Sequence, residues 1–403
     1  MNKEIDMNKA SAPHTPCSRL AVQNLPTSKI REIANAGFGV PDVLRFWFGE
    51  STRPTPGFIT EAAIAALHRN EVFYSHNSGR ADLRAALVAY LNTLHGINLG
   101  PERISVTSSG VSALMLAMQA LVSPGDRVVI VTPVWPNVAQ IPAILNADVS
   151  RFSLDVKNGR WHLDTDRLLA QITQQTRLLV INSPGNPTGW TLDAESQKVI
   201  LDHCRRLGVW ILADDVYERL VFDDALHSAP SFLRIARPDY RLIVANSFSK
   251  AWLMTGWRLG WITAPAELES DLGKLIEFNT SCAPEFIQSA ALAALQGGDG
   301  LIAEIRRDLK GNRDFLTGRL SAIKGVEAPL PDGGMYSFFR IKGHDDSVRL
   351  AKQLIAEAKL GLAPGAAFGP EGEGWLRWCF AADRASLEEG VLRLEQWFAQ
   401  KQQ

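Results

Sequence analysis

The sequence lacks a charge surplus of either sign. Its 42 Lys and Arg stand against 43 Asp and Glu, so no bulk field steers it toward nucleic acid or an anionic membrane. It has no apolar run of transmembrane length. Its start, M-N-K-E-I-D-M-N-K-A, has no apolar h-region, so no secretory signal is expected. Met7-Asn-Lys echoes Met1-Asn-Lys, which makes Met7 a second candidate start. Cysteine is scarce. Cys17, Cys204, Cys282 and Cys379 lie far apart, with no C-x-x-C pair and no histidine at metal spacing. That argues against a disulfide framework or a metal site and for thiols in a reducing, cytoplasmic compartment. Internal repeats and low-complexity segments are missing as well. What remains is an ordinary globular composition, 21% charged and 46% apolar, over 403 residues, enough for a large core and two domains.

The stretch that organises the chain is Ser247–Trp261, S-F-S-K-A-W-L-M-T-G-W-R-L-G-W. The apolar run Arg241–Asn246 before it reads as a buried strand, so Lys250 sits where a strand ends and the chain turns. Desolvation there lowers an amine's pKa and makes it a nucleophile for carbonyls. Arg258, eight residues on, offers a planar fork for a phosphate dianion. A carbonyl-binding lysine beside a phosphate-binding arginine fits pyridoxal phosphate held as a Schiff base. A surface lysine and a sheet-capping arginine would read the same from this stretch alone.

Along the chain, residues 1 to about 25 read as a loose polar arm. Ser28–Ala36 reads as a short helix, Leu44–Phe48 as a short strand, and Thr60–Asn70 as a helix capped by Thr60. Gly39 and Gly49 are candidates for close backbone approach to a ligand. A loop from Tyr74 leads into a helix over Ala81–Leu94. Strands follow at Ile104–Thr107, Arg127–Thr132, Leu178–Asn182, Val209–Ala213 and Leu242–Asn246, alternating with helices such as Val111–Val122. That alternation predicts an α/β fold with a mostly parallel sheet covered on both faces. In such sheets ligands sit outside the carboxyl ends of the strands. Ser109, Trp135, Asn186, Asp214 and Lys250 all fall at those ends. After a break at Gln296–Gly300, helices over Leu301–Leu320, Val348–Lys359 and Ser386–Gln400 flank strands near Phe339 and at Leu376–Phe380. This α+β tail joins the first fifty-odd residues in a smaller domain. The expected division is 1–58 (arm and part of the small domain), 59–298 (large, cofactor-binding) and 299–403 (small).

With these motifs in order, the chain resembles the class I/II aminotransferases of pyridoxal-phosphate fold type I, the aspartate-aminotransferase superfamily, from about Asn24 to about Phe398. The markers are Y-x-x-x-x-G-x-x-x-L-R at Tyr74, P-x-W-P-N at Pro133, S-P-x-N-P-T-G at Ser183, D-D-V-Y at Asp214, S-x-S-K with an arginine eight on, and P-G-x-x-F-G followed by Arg377. The resemblance implies a seven-stranded-type sheet and a role for each position. Lys250 resembles the Schiff-base lysine and proton carrier, and Asp214 the partner of the pyridine nitrogen. Asn186 and Tyr217 resemble the residues that hydrogen-bond the cofactor's phenolic oxygen, with Asn186 also facing substrate. Ser109, Gly110, Val111, Ser247 and Arg258 resemble the phosphate cup. Tyr74 resembles a tyrosine that reaches the phosphate of a neighbouring subunit, which implies a homodimer with shared active sites. Trp135 resembles the aromatic stacked on the ring, Arg377 the clamp on the substrate α-carboxylate, and Gly39 a glycine over the substrate. Trp378 and Cys379 depart from the small and hydroxyl residues common beside that arginine.

The implied reaction moves an amino group from an α-amino acid to a 2-oxo acid in two halves, through a Lys250 Schiff base and a pyridoxamine intermediate. Val111 stands where one branch carries a dicarboxylate-reading lysine, and Glu277–Pro284 offers no arginine. With Phe38, Phe46, Trp47 and Phe48 near the expected substrate edge, the reading leans toward a donor with a neutral side chain. A C–S or β/γ-lyase, or a synthase, on the same scaffold remains the alternative. A ligand-binding regulator is disfavoured, since only about 25 residues precede the matching region and none of the charge is concentrated for DNA.

Overall fold

The structure, a computed structural model, describes residues 17–401. The second candidate start at Met7 and most of the expected N-terminal arm lie outside the described residues. Seven strands form one sheet in the order Ile104–Thr107, Gly260–Thr263, Leu242–Ser247, Trp210–Asp214, Thr176–Asn182, Arg127–Thr132, Asp148–Ser153. Every pairing is parallel except the two made by Gly260–Thr263. The central strands are buried on both faces, Leu178, Leu179 and Val180 completely. Their unbroken apolar runs are therefore what a doubly covered sheet requires. The strands Asp148–Ser153 and Gly260–Thr263 had no sequence-based expectation. The first mixes charge with apolar residues, and the second is four residues long.

Before and around this sheet run helices α1 (Leu20–Gln23), α2 (Lys29–Gly37), α3 (Gly57–His68), α4 (Ala81–His95), α5 (Gly110–Leu121) and α6 (Pro136–Ile144). Three local expectations need correction. The end of the expected arm forms the single turn α1. Thr60 does not cap α3: the helix starts one turn earlier, after Pro56, and the Thr60 hydroxyl donates to the Pro56 carbonyl inside it. The strand expected over Leu44–Phe48 shrinks to Leu44–Arg45, paired with Leu360–Gly361, because Phe46 and Trp47 turn into a core instead.

That core is separate from the one over the large sheet. Ile33, Phe46 and Trp47 pack with Leu316, Phe339, Leu354, Trp378 and Leu394. It lies against a four-stranded antiparallel sheet, Val326–Glu327, Tyr336–Ile341, Trp375–Cys379 and Ala363–Pro364. The helices Asp299–Ala322, Ser347–Ala358 and Arg384–Lys401 pack there. The N-terminal segment thus folds onto the C-terminal third of the chain.

Candidate active site

Parallel pairing sets the site. Asn182 lies opposite Asp214, and Asp214 opposite Ala245, so three adjacent strands end side by side. Beyond them the chain opens into loops, and the loop residues converge on a cavity of about 230 Å³. Lys250, Asp214 and Tyr217 line it, as do Trp135, Asn186 and Arg377. At its far end stand Gly110, Val111, Ser247 and Arg258.

That far end is built by close backbone approach. Gly260 is paired on one side with Thr107 and on the other with Ser247. A Cβ on Gly260 would stand 2.6 Å from the Asn246 carbonyl oxygen and 2.7 Å from the Gly110 nitrogen. This crowding brings the N-terminus of α5, with its free N–H groups, against the Ser247 turn. The Ser247 hydroxyl donates to Ser249 Oγ at 2.8 Å, and Ser249 also faces the cavity. Arg258 holds a left-handed backbone at φ 55° and is steadied by its bond to the Thr255 carbonyl at 2.6 Å. Such a conformation is rare outside glycine and concentrates at functional sites. Ser109 is buried and is not among the residues lining the cavity; its hydroxyl caps α5, accepting from the Ser112 N–H at 3.0 Å.

Two titrating groups face each other across the cavity. Burial pushes the Asp214 carboxyl up to about 7, against the pull of the Val216 N–H and of Lys250. Its one hydrogen bond among the described residues is that N–H, at 3.4 Å. Burial brings the Lys250 amine down to about 8, and Lys250 donates to the Gly49 carbonyl. Burial also raises the phenols of Tyr217 and Tyr336, whose hydroxyls meet at 2.7 Å.

Another corner of the cavity is organised by Arg377. One nitrogen donates to Asn186 Oδ1 at 3.0 Å and another to the Trp47 carbonyl. Its Nε is buried with no partner among the described residues. The guanidinium lies over the rings of Tyr336 (4.6 Å) and Phe368 (4.9 Å). Asn182 holds this corner together: its Oδ1 accepts the Asn186 N–H at 2.8 Å and its Nδ2 donates to the Asp214 carbonyl at 3.1 Å.

Four expected positions fall elsewhere: Gly39, Phe38, Phe46 and Trp47. Gly39 does not touch the cavity, and a Cβ on it would meet nothing within 4 Å. Gly49, the other flagged glycine, is the one that lines it, because Phe46 and Trp47 anchor the chain just before it. Tyr74, expected to reach a neighbouring subunit, stands 87% exposed and does not line the cavity of its own chain. Of the four aromatics expected at the substrate edge, only Phe48 lines the cavity. Phe46 and Trp47 are core, and Phe38 packs edge-on against Trp47. Sequence reading missed Asn182 and Tyr336. Asn182 carried a signal as the last residue of a strand ahead of the Ser183 loop, whereas Tyr336 looked like any strand aromatic.

These residues fit pyridoxal phosphate. An under-partnered buried carboxylate rewards a cationic ring nitrogen. A lysine with a lowered pKa suits an aldehyde, and a crowded helix N-terminus with a hydroxyl and an arginine suits a phosphate. A sequence model of the family described as aminotransferase class I and II matches residues 42–394. An aspartate aminotransferase of Pyrococcus horikoshii is 33% identical over 371 residues, 91% of this chain and 94% of that one. A probable N-acetyl-LL-diaminopimelate aminotransferase of Bacillus subtilis is 31% identical, covering 94% and 95%. The crystal structure of an aromatic aminotransferase from Pyrococcus horikoshii superposes with a TM-score of 0.84 at 30% identity, over 92% of this chain and 99% of that one.

Proposed function

The chain belongs to the class I and II aminotransferases, and on that premise we propose the role of each residue in its site. The enzyme uses pyridoxal phosphate and transfers an amino group from an α-amino acid to a 2-oxo acid. When bound, the cofactor supplies an aldehyde that takes up the amino group and a protonated ring that draws off the electrons left when the Cα proton departs. The residues that would hold it are Gly110, Val111, Ser247 and Arg258 at the phosphate, Asp214 at the ring nitrogen, Trp135 on the ring face, and Asn186 with Tyr217 at the phenolic oxygen. Ser109 contributes by fixing the start of α5.

Lys250 is the group that holds and moves the proton at Cα. An amine with a pKa near 8 is free in a useful fraction at neutral pH and still protonates readily. Arg377 binds the α-carboxylate: a planar fork with one unpartnered nitrogen, stacked between two rings, is pre-aimed for a bidentate partner. Asn186 orients that fork through Oδ1. Tyr336 supports Arg377 with its ring and Tyr217 with its hydroxyl. The observation that carries this reading is the meeting of Lys250, Asp214 and Arg377 in one cavity from three distant parts of the chain.

The names of the relatives span a dicarboxylate, an aromatic and an acetylated diamino acid donor, and so do not select one for this chain. We also propose a homodimer with shared sites. It is supported by the exposed run Val72, Phe73 and Tyr74, with Phe278 at 90% exposure. The division into 59–298 against 299–403 with 1–58 is supported by the separate core around Trp47 and Trp378. A cytoplasmic location is supported by four free thiols. The direct test mixes purified holoenzyme with single amino acids and no acceptor. Stoichiometric 2-oxo acid with a shift of the cofactor's absorbance is the expected result. Release of ammonia or a fragmented product with an unshifted band would replace transamination by lyase chemistry.

A further inference from the structure

A second cavity, of about 730 Å³, shares no lining residue with the one around Lys250. It opens between α4, the end of the helix Glu285–Gly297 and the first turns of the helix Asp299–Ala322. Small and apolar side chains line most of it: Ala86, Ala89, Leu94, Leu295, Ile302 and Ala303. Alanines on two of these helices leave room for a ring-sized apolar body, and few polar groups among apolar walls is the usual make-up of a small-molecule site.

Two of the polar groups there are guanidinium groups, Arg219 and Arg306, against the single carboxylate of Asp299. Arg219 is 9% exposed. Its Nη1 donates to the Tyr90 hydroxyl at 3.2 Å and its Nη2 to Asp299 Oδ1 at 3.1 Å. Its Nε is buried with no partner among the described residues. Nε and Nη2 form one edge of the fork, an edge that takes a carboxylate by two parallel bonds. Asp299 fills half of that edge, and its side chain is 86% exposed, so it is held there weakly. Arg306 donates to the carbonyls of Val221, Asp223 and Leu226, at 3.1, 3.2 and 2.6 Å, and pairs with no carboxylate among the described residues. The cavity is thus one negative charge short.

We propose that this cavity is a binding site for a small carboxylate with a ring-sized apolar body. The carboxylate takes Nε and Nη2 of Arg219 in place of Asp299, Arg306 supplies the second positive charge, and the body lies among the alanines. The site is separate from the chemistry at Lys250, and it stands independently of the transamination reading.

The test titrates 2-naphthoate, which has no amino or oxo group to react, into the holoenzyme by calorimetry. Because Arg377 also suits carboxylates, the titration is repeated in Arg377→Lys. The expected result is a site that survives that change and weakens about tenfold in Arg219→Gln, the size of one lost charge-assisted bond. Asp299→Asn should tighten it, because the competing carboxylate is gone. Ala89→Trp fills the cavity from an exposed position on α4 and should abolish binding. The uncharged 2-naphthamide, of the same shape, should bind about tenfold more weakly than the acid. Should Arg219→Gln not fold, Ala89→Trp and Asp299→Asn decide. No binding to the wild type, binding lost in Arg377→Lys, binding unmoved in Ala89→Trp, or weaker binding in Asp299→Asn would each overturn the proposal and leave transamination untouched.

Discussion

Arg377 donates to Asn186 Oδ1 at 3.0 Å across 191 residues of sequence. The bond joins a strand of the small antiparallel sheet to the loop that follows a central strand of the large one, so the arginine proposed for the substrate carboxylate is tied directly to a residue proposed at the cofactor.

Replacing Arg377 by lysine should cost about a hundredfold in kcat/KM, because an ammonium cannot make two parallel bonds to a carboxylate. The cofactor's absorbance should be unchanged. Equal losses in cofactor binding and turnover would mean that Arg377 only holds the fold.

Lys250 should reveal its pKa in the cofactor-free protein. The rate of pyridoxal phosphate uptake, followed by absorbance, is expected to rise through about pH 8, where the amine becomes free. A rise centred above pH 10 would show an amine with no desolvation. Lys250→Ala should lose both the lysine-linked absorbance band and transamination, and normal turnover in that variant would sink the assignment.

Asp214 should leave a signature in stability. Its folded pKa, about 7, is raised from an ordinary 3.8. The unfolded chain therefore ionises first, and unfolding releases a proton between those values. Stability of the cofactor-free protein should fall as pH rises from about 4 to about 7 and then level off. Asp214→Asn should remove that contribution. In the loaded enzyme the same variant should lose about two to three orders of magnitude in kcat, the scale of one lost charge aimed at the reacting group.

Gly260→Ala forces a methyl against the Asn246 carbonyl and the Gly110 nitrogen, both backbone atoms with no room to yield. Overpacking of this kind costs about 1–3 kcal/mol. Since the strain falls on the phosphate end, cofactor affinity should drop with thermal stability. Gly256→Ala, which would meet nothing within 4 Å, is the control.

Much of this enzyme was legible in its residues. Apolar runs alternating with helices required a parallel sheet with both faces covered, and in such a sheet the loop residues after Thr107, Thr132, Asn182, Asp214 and Ser247 must gather at one edge. Lys250, Asp214, Asn186, Trp135 and Arg258 were found on that ground and by their motif order. That the Ser109 hydroxyl also caps α5 depends on helix geometry. Gly39 and Gly49 look alike in sequence. Only the burial of Phe46 and Trp47 in the second core decided that Gly49 reaches Lys250. Tyr336 and Asn182 entered the site through contacts 119 and 32 residues long. Local sequence fixes periodicity and strand ends, because those follow from backbone and side-chain chemistry within a few residues. Which side chains share a cavity depends on packing between distant segments, and that the tertiary structure alone decided.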